Sequence, residues 1–267
     1  MRAVLTNVFL KTLRDQRRAL VGWSIGLLVL VLLESALWPT VRDMGNLTEF
    51  VANYPEAMKE LFKLDQFGTG TGFLNGELYS LMLPILFLVY GIGRGARSVA
   101  GEEEAGTLEV LLMTRVSPTS LVLHRAAALA AGMIALGAVL FVAVAVCSPL
   151  FGLDVPLGQA AAGSVAMVLL GVEFGWLALA VGAVTGRHVV ATAVASAVAV
   201  AAYVLYAAGG LVAELEAWQG VSPFDQALTA GPLGGGLTWV FLWMPAAAVV
   251  FVAAAVPVFE RRDITIR

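Results

Sequence analysis

Four glutamates lie close together in the stretch SVAGEEEAGTLEVLLMTRVSP, which covers residues 98–118. Three of them are adjacent, Glu102, Glu103 and Glu104, and the fourth is Glu109. Paired carboxylates can act as general acid and base, or they can bind a metal ion. Adjacent residues of a helix, however, point about 100° apart, and no histidine or cysteine cluster stands nearby to complete a site. The pattern therefore favours neither catalysis nor metal binding.

The rest of the chain is strongly apolar. Of its 267 residues 60% are hydrophobic and only 13% are charged, whereas soluble domains carry about 25% charged residues. This composition predicts an integral membrane protein. The net charge is −3 and no basic patch indicates nucleic-acid binding. The single cysteine, Cys147, excludes a disulfide within the chain.

Six stretches are long and apolar enough to cross about 30 Å of hydrocarbon as helices. The fourth and fifth are so close that they must form a tight helical hairpin around Gly186, Arg187 and His188. We therefore expect an all-α integral membrane protein whose 267 residues form a single transmembrane domain. The six predicted spans are residues 19–38, 78–97, 121–147, 159–184, 189–208 and 237–259.

Lysine and arginine set the orientation, because cationic residues are retained on the cytoplasmic side of a membrane. If the chain crosses the membrane six times, thirteen of its sixteen lysines and arginines lie on one side of the membrane. Only Arg42, Lys59 and Lys63 lie on the other side. This bias predicts a multi-pass protein of the plasma membrane with both termini in the cytoplasm. The stretch 98–118 is then cytoplasmic too.

Two further segments have helical patterns. Residues 1–18 place apolar residues on one stripe and basic residues elsewhere, which predicts an amphipathic helix in the inner interface; the alternative is an ordinary basic flank. The outer segment 39–77 is too long for a bare loop. A capping pattern at Asn46 and a proline at Pro55 predict two short helices there.

Residues 101–113, drawn as one helix, separate an apolar face from an acidic one. The apolar face rests on the spans in this prediction, while Glu102, Glu103 and Glu109 are offered to the cytoplasm. A solvated first turn, in which glutamates complement the helix dipole, is the alternative interpretation. The helix must end near Ser117, because Pro118 disfavours the helical conformation of the preceding residue.

The run EEEAGTLEVLLMTRVSPTSLVLHR resembles the signature of type 2 ATP-binding cassette (ABC) exporter permeases, and is most similar to the branch that exports drugs or polyketide antibiotics. In that family the motif forms a cytoplasmic coupling helix that docks on a separate ATPase subunit. Arg125 stands where the family often has lysine. The resemblance implies an ATPase-coupling role for Glu102, Glu103, Gly106, Thr107, Leu108, Glu109, Leu111 and Leu112.

The chain has no nucleotide-binding loop of its own. None of its three lysines follows the glycine spacing of a phosphate-binding loop. We therefore expect no enzymatic activity and no cofactor on this chain, with ATP and magnesium held by the partner ATPase subunit. Because such exporters use twelve spans, the resemblance also implies a second permease copy or a paralogue.

Glu173 lies in the middle of the fourth span, where an ionisable group costs at least about 2.5–3.5 kcal/mol. It could face a translocation path together with Trp176, or it could be a protonated or hydrogen-bonded carboxyl that joins two helices. On the same helix Gly171, Gly175, Ala178 and Gly182 form a small-residue stripe suited to close packing. An ion-coupled secondary transporter that uses Glu173 is thus the alternative function, and a membrane enzyme is a weaker third.

Overall fold

The computed structural model describes residues 8–44, 59, 67–106, 117–229 and 231–262. Nine helices make up most of these residues. Six of them are long and apolar enough to cross a membrane: α1 (Val8–Arg42), α2 (Gly70–Ser98), α4 (Pro118–Phe151), α5 (Leu157–Thr185), α6 (His188–Gly209) and α9 (Trp239–Arg261). Three are short: α3 (Ala100–Glu104), α7 (Ala213–Gln219) and α8 (Pro223–Leu228).

The predicted all-α membrane architecture is confirmed, and the six long helices match the six predicted spans in order. The first five observed helices are longer than the predicted apolar stretches, whereas α9 has the same length of 23 residues and begins two residues later. α1 has 35 residues and so measures about 52 Å at 1.5 Å per residue. We call one end of the bundle the basic end; it holds the starts of α1, α4 and α6 and the ends of α2, α5 and α9.

The prediction of a separate interfacial helix over residues 1–18 is wrong for the part that the structure describes. Residues 8–18 belong to α1, which runs on without a break into the first span. Tertiary contacts hold this segment in line, since Val8, Thr12 and Gln16 are buried and the Gln16 side-chain amide donates to the Ala128 carbonyl of α4 at 2.9 Å. Residues 1–7 lie outside the described part.

The predicted outer segment 39–77 is divided between two spans. Residues 39–42 end α1, and residues 70–77 already belong to α2, which begins eight residues before the predicted start at residue 78. The two short helices predicted from Asn46 and Pro55 lie outside the described residues. Within α2 the stretch Asn75–Met82 is a π-helix. It stands just before Pro84, whose ring nitrogen has no hydrogen to give an α-helical bond.

The bundle is centred on α5, which packs against α2 with almost no space between the two backbones. A methyl group at Gly91 or Gly95 of α2 would overlap the carbonyl oxygen of Gly171 or Gly175 of α5. The small-residue stripe on α5 is therefore a packing face, as its sequence predicted. Because the two helices touch along this face, a movement of one must displace the other.

Two turns shape the remaining topology. The hairpin between α5 and α6 is confirmed: Gly186 has a left-handed φ of 67° and donates to the Gly182 carbonyl at 2.8 Å. At the opposite end of the bundle, α7 and α8 fill the connection between α6 and α9 and were not predicted. The clearest sequence signal for these short helices is Ser222, which caps α8 and stands directly before Pro223.

Candidate functional site

The three adjacent glutamates lie in α3, a single short turn of helix at the basic end. Helix α3 follows α2 after a turn at Val99 and ends at Glu104, after which Gly106 adopts a left-handed φ of 66°. One helix over residues 101–113 is therefore wrong in its first part, because a left-handed residue stops an α-helix. Thr107, Leu108, Glu109, Leu111 and Leu112 lie outside the described residues.

Glu102 connects α3 to α4 and α1. Its carboxylate forms an ion pair with Arg125, whose side chain is only 5% exposed, and the Lys11 ammonium lies 4.0 Å away. The Arg125 guanidinium also donates to the Thr12 hydroxyl at 2.9 Å, and that hydroxyl in turn donates to the Val8 carbonyl at 2.8 Å. The buried arginine is thus held between the two helices and α3.

Glu103 connects α3 to the end of α9. Its carboxylate forms an ion pair with Arg262, the residue that follows α9, and its side chain is 17% exposed. The same guanidinium donates to the Ala183 carbonyl near the end of α5 at 2.6 Å. One arginine therefore links three elements of the basic end.

Glu104 caps α6. One carboxylate oxygen accepts from the backbone N–H of His188 at 2.9 Å, and the other contacts the His188 ring. These hydrogen bonds lower the pKa of Glu104 below its ordinary value. A carboxylate at the first turn of a helix is also favoured by the positive end of the helix dipole. The sequence alone placed His188 in the hairpin between the fourth and fifth spans but did not identify its contact with Glu104.

We call this group of Glu102, Glu103, Glu104 and their basic partners the glutamate clasp. The expectation that the acidic face is offered to solvent is wrong for Glu102 and Glu103, since both point into the bundle and are paired. The physical reason is the 100° step between adjacent helical residues, which sends each carboxylate to a different neighbour. Sequence reasoning named the glutamates but missed the partners Lys11, Arg125, His188 and Arg262.

The clasp consists of contacts between α3 and the neighbouring helices. Among the described residues, no three His, Cys, Asp or Glu side chains are grouped so that they could hold a metal ion. Each carboxylate instead contacts a basic side chain from another part of the chain, so α3 is tied to the basic ends of α1, α4, α6 and α9. The chain continues from α3 through Ala105 and Gly106 into residues 107–116.

Glu173 and Trp176 lie together on α5, and neither belongs to the clasp. The Glu173 side chain is 6% exposed, and one of its carboxyl oxygens has no hydrogen-bond partner among the described residues. The Trp176 indole N–H donates to the Ala126 carbonyl at 3.0 Å, which fastens α5 to α4. Trp176 thus has a structural contact, while the role of Glu173 stays a hypothesis.

Comparison with known families agrees with this architecture. A search among curated proteins finds no match to the chain. The family described as ABC-2 family transporter protein matches residues 6–264, which is nearly the whole chain. Membrane subunits of this family work with ATP-binding subunits. With six membrane-crossing helices and a match over nearly its full length, the chain belongs to the ABC-2 transporter family and is a transmembrane permease of an ABC transporter.

Proposed function

We propose that the protein is the permease subunit of an ATP-driven exporter and that the glutamate clasp transmits the movement of a separate ATPase subunit to the spans. The observation that carries this proposal is the position of the clasp. It joins the basic ends of four helices to α3, and α3 leads directly into the segment 107–116 that resembles a coupling helix.

In this mechanism residues 107–112 dock on the ATPase subunit, which holds ATP and magnesium and hydrolyses the nucleotide. Closure of the ATPase displaces the docked segment, and the left-handed Gly106 forms the joint between that segment and α3. Because Arg125 is buried between α1 and α4, a shift of α3 moves these helices as a unit. Two permease copies, or this chain and a paralogue, enclose the path between them.

The distribution of basic residues supports a cytoplasmic location for the basic end, and therefore for both termini and the clasp, in the plasma membrane. The resemblance to drug and antibiotic exporters supports an amphiphilic substrate. Apolar and aromatic linings suit such compounds, because they bind by burial of apolar surface more than by directed hydrogen bonds.

The test is the composition of the complex in its native membrane. We would isolate the full-length tagged chain in mild detergent and identify co-purifying proteins by mass spectrometry, with native mass spectrometry to count permease copies. The proposal predicts an ATPase subunit in stoichiometric amount and two permease chains for each complex.

A chain that emerges alone, even after cross-linking in the membrane, would contradict the proposal. In that case the buried carboxyl of Glu173 would favour the ion-coupled secondary transporter. Glu173→Gln should then abolish proton- or sodium-driven transport in vesicles, whereas an ATP-driven exporter would retain its ATP dependence in that variant.

A further inference from the structure

Two cavities follow one another along the seam between α1, α2 and α4. The first lies at the basic end and has a volume of about 140 Å³. Its charged lining residues are Asp15, Arg94, Arg97, Glu102 and Arg125. The second is an apolar groove of about 600 Å³ and is lined mainly by Gly22, Trp23, Gly26, Leu86, Phe87 and Leu136. We call them the headgroup cavity and the apolar groove.

The two cavities are neighbours along the helices, with the buried side chain of Tyr90 between them. On α1 the lining passes from Gln16 to Ala19 within three residues, a rise of about 5 Å. On α2 it passes from Arg94 to Phe87, and Tyr90 lies between them with its ring 5.8 Å from that of Trp23. The Tyr90 hydroxyl is buried at this junction and has no hydrogen-bond partner among the described residues.

The charges around the headgroup cavity favour an anion. Arg94 and Arg97 form no ion pair with any described residue, and Arg125 is already neutralised by Glu102. An adjoining cavity shares Asp15 and adds Arg14, Arg17 and Arg18, so cations outnumber carboxylates at the entrance. Clusters of this kind between membrane helices bind anionic headgroups.

The apolar groove favours a hydrocarbon chain over a small soluble anion. Its volume lies within the roughly 300–1,000 Å³ of small-molecule sites. Val21 and Ile25 precede the lining glycines of α1 and are 59% and 57% exposed, so the helix surface beside the groove is apolar. A molecule that enters from the bilayer can therefore place a chain here and its headgroup one or two turns away.

We propose that this seam binds an anionic phospholipid from the leaflet at the basic end, with its phosphate against Arg94 and Arg97 and one acyl chain in the apolar groove. The site goes beyond the transport function, because it holds whether or not the lipid is the exported molecule. It adds a lipid requirement to a helix seam that includes Arg125, the central cation of the glutamate clasp.

The test measures binding of palmitoyl-oleoyl phosphatidylglycerol to the full-length protein in detergent by native mass spectrometry, with phosphatidylcholine of the same chains as the neutral comparison. The wild type should prefer phosphatidylglycerol. Arg94→Gln/Arg97→Gln should weaken its binding about 30-fold, the effect of removing two cationic contacts to an anionic lipid. Arg187→Gln/Arg261→Gln removes the same charge from the same end and should leave binding unchanged.

A second pair of variants tests the groove. A Cβ atom added at Gly26 or at Gly93 meets no atom within 4 Å, so both positions have open space beside the backbone for a larger residue. Gly26→Leu fills the groove and should weaken both lipids, whereas Gly93→Leu should weaken neither. Equal binding of the two lipids to the wild type, or unchanged phosphatidylglycerol binding by the arginine variant, would overturn the proposal. Full competition of inorganic phosphate with the lipid would also overturn it. The same holds if Gly26→Leu disrupts a dimer of the protein and leaves lipid binding unchanged.

Discussion

The ion pair between Glu102 and Arg125 should be the strongest contact of the glutamate clasp. The Arg125 side chain is 5% exposed and that of Glu102 is 21% exposed, so removal of either partner leaves a charge with little water. Breaking a fully buried pair costs about 3–5 kcal/mol. Because Glu102 keeps some exposure and Lys11 stays 4.0 Å away, we expect about 3 kcal/mol for Arg125→Met alone.

A double-mutant cycle separates the pair from its surroundings. Arg125→Met leaves Glu102 without its arginine and Glu102→Gln leaves the buried Arg125 without its carboxylate, whereas the double variant removes both charges of the pair. It should therefore recover about 2–3 kcal/mol relative to the sum of the single changes, within the range of coupling energies between residues in contact. The assay is reversible unfolding in mixed micelles with sodium dodecyl sulfate, followed by far-ultraviolet circular dichroism.

The contact between Glu104 and His188 supplies the internal control. These side chains are 39% and 37% exposed, and exposed ion pairs contribute about 0.2–1 kcal/mol. The cycle of Glu104→Gln and His188→Gln should thus give a coupling energy below about 1 kcal/mol. A coupling energy of less than about 0.5 kcal/mol for Glu102 and Arg125 would refute this explanation of the clasp. So would a coupling energy for Glu104 and His188 that exceeds the one for Glu102 and Arg125.

Three further changes have expected outcomes in the same unfolding assay. Gly95→Ala places a methyl group against an α5 carbonyl and should lower the free energy of unfolding by about 2 kcal/mol or more. Gly93→Ala meets open space and should raise the free energy of unfolding by up to about 1 kcal/mol through helix propensity. Equal effects of the two variants would contradict the packing argument. Because the pKa of Glu104 is lowered, its hydrogen bonds to His188 stabilise the fold fully above about pH 4.5, and this stabilisation is lost as the pH falls through the lowered pKa. Glu104→Gln should remove that part of the acid sensitivity. An unchanged dependence of stability on pH in this variant would contradict the argument. Trp176→Phe loses one hydrogen bond and should cost about 1 kcal/mol, while no measurable loss would argue against a structural role.

The spans and the hairpin between α5 and α6 were predictable because they depend on local composition. Apolar length fixes a span, and Gly186 marks a helix end through its left-handed conformation. The small-residue stripe of α5 also predicted its packing face, since only glycine allows two backbones to touch. These features need no knowledge of which helix is the neighbour.

The clasp could not be predicted because its partners come from distant parts of the chain. Arg262 is 159 residues from Glu103, and His188 is 84 residues from Glu104. Charge counting placed these cations at helix ends but could not say which carboxylate each one meets. For the same reason residues 8–18 were predicted as an interfacial helix, although contacts of Thr12 and Gln16 with α4 hold them in line with α1.

In the proposed mechanism residues 107–112 dock on the ATPase subunit, and the glutamate clasp transmits the movement of that subunit to the spans. The most direct test uses variants that affect only one of these two steps. Leu111→Asp/Leu112→Asp changes two residues to which the family resemblance assigns ATPase coupling, whereas Glu102→Gln/Glu103→Gln changes the clasp. After isolation from the native membrane, the clasp variant should retain a stoichiometric ATPase subunit and the leucine variant should lose it. Full retention of the ATPase subunit by the leucine variant, or its loss from the clasp variant, would contradict the mechanism.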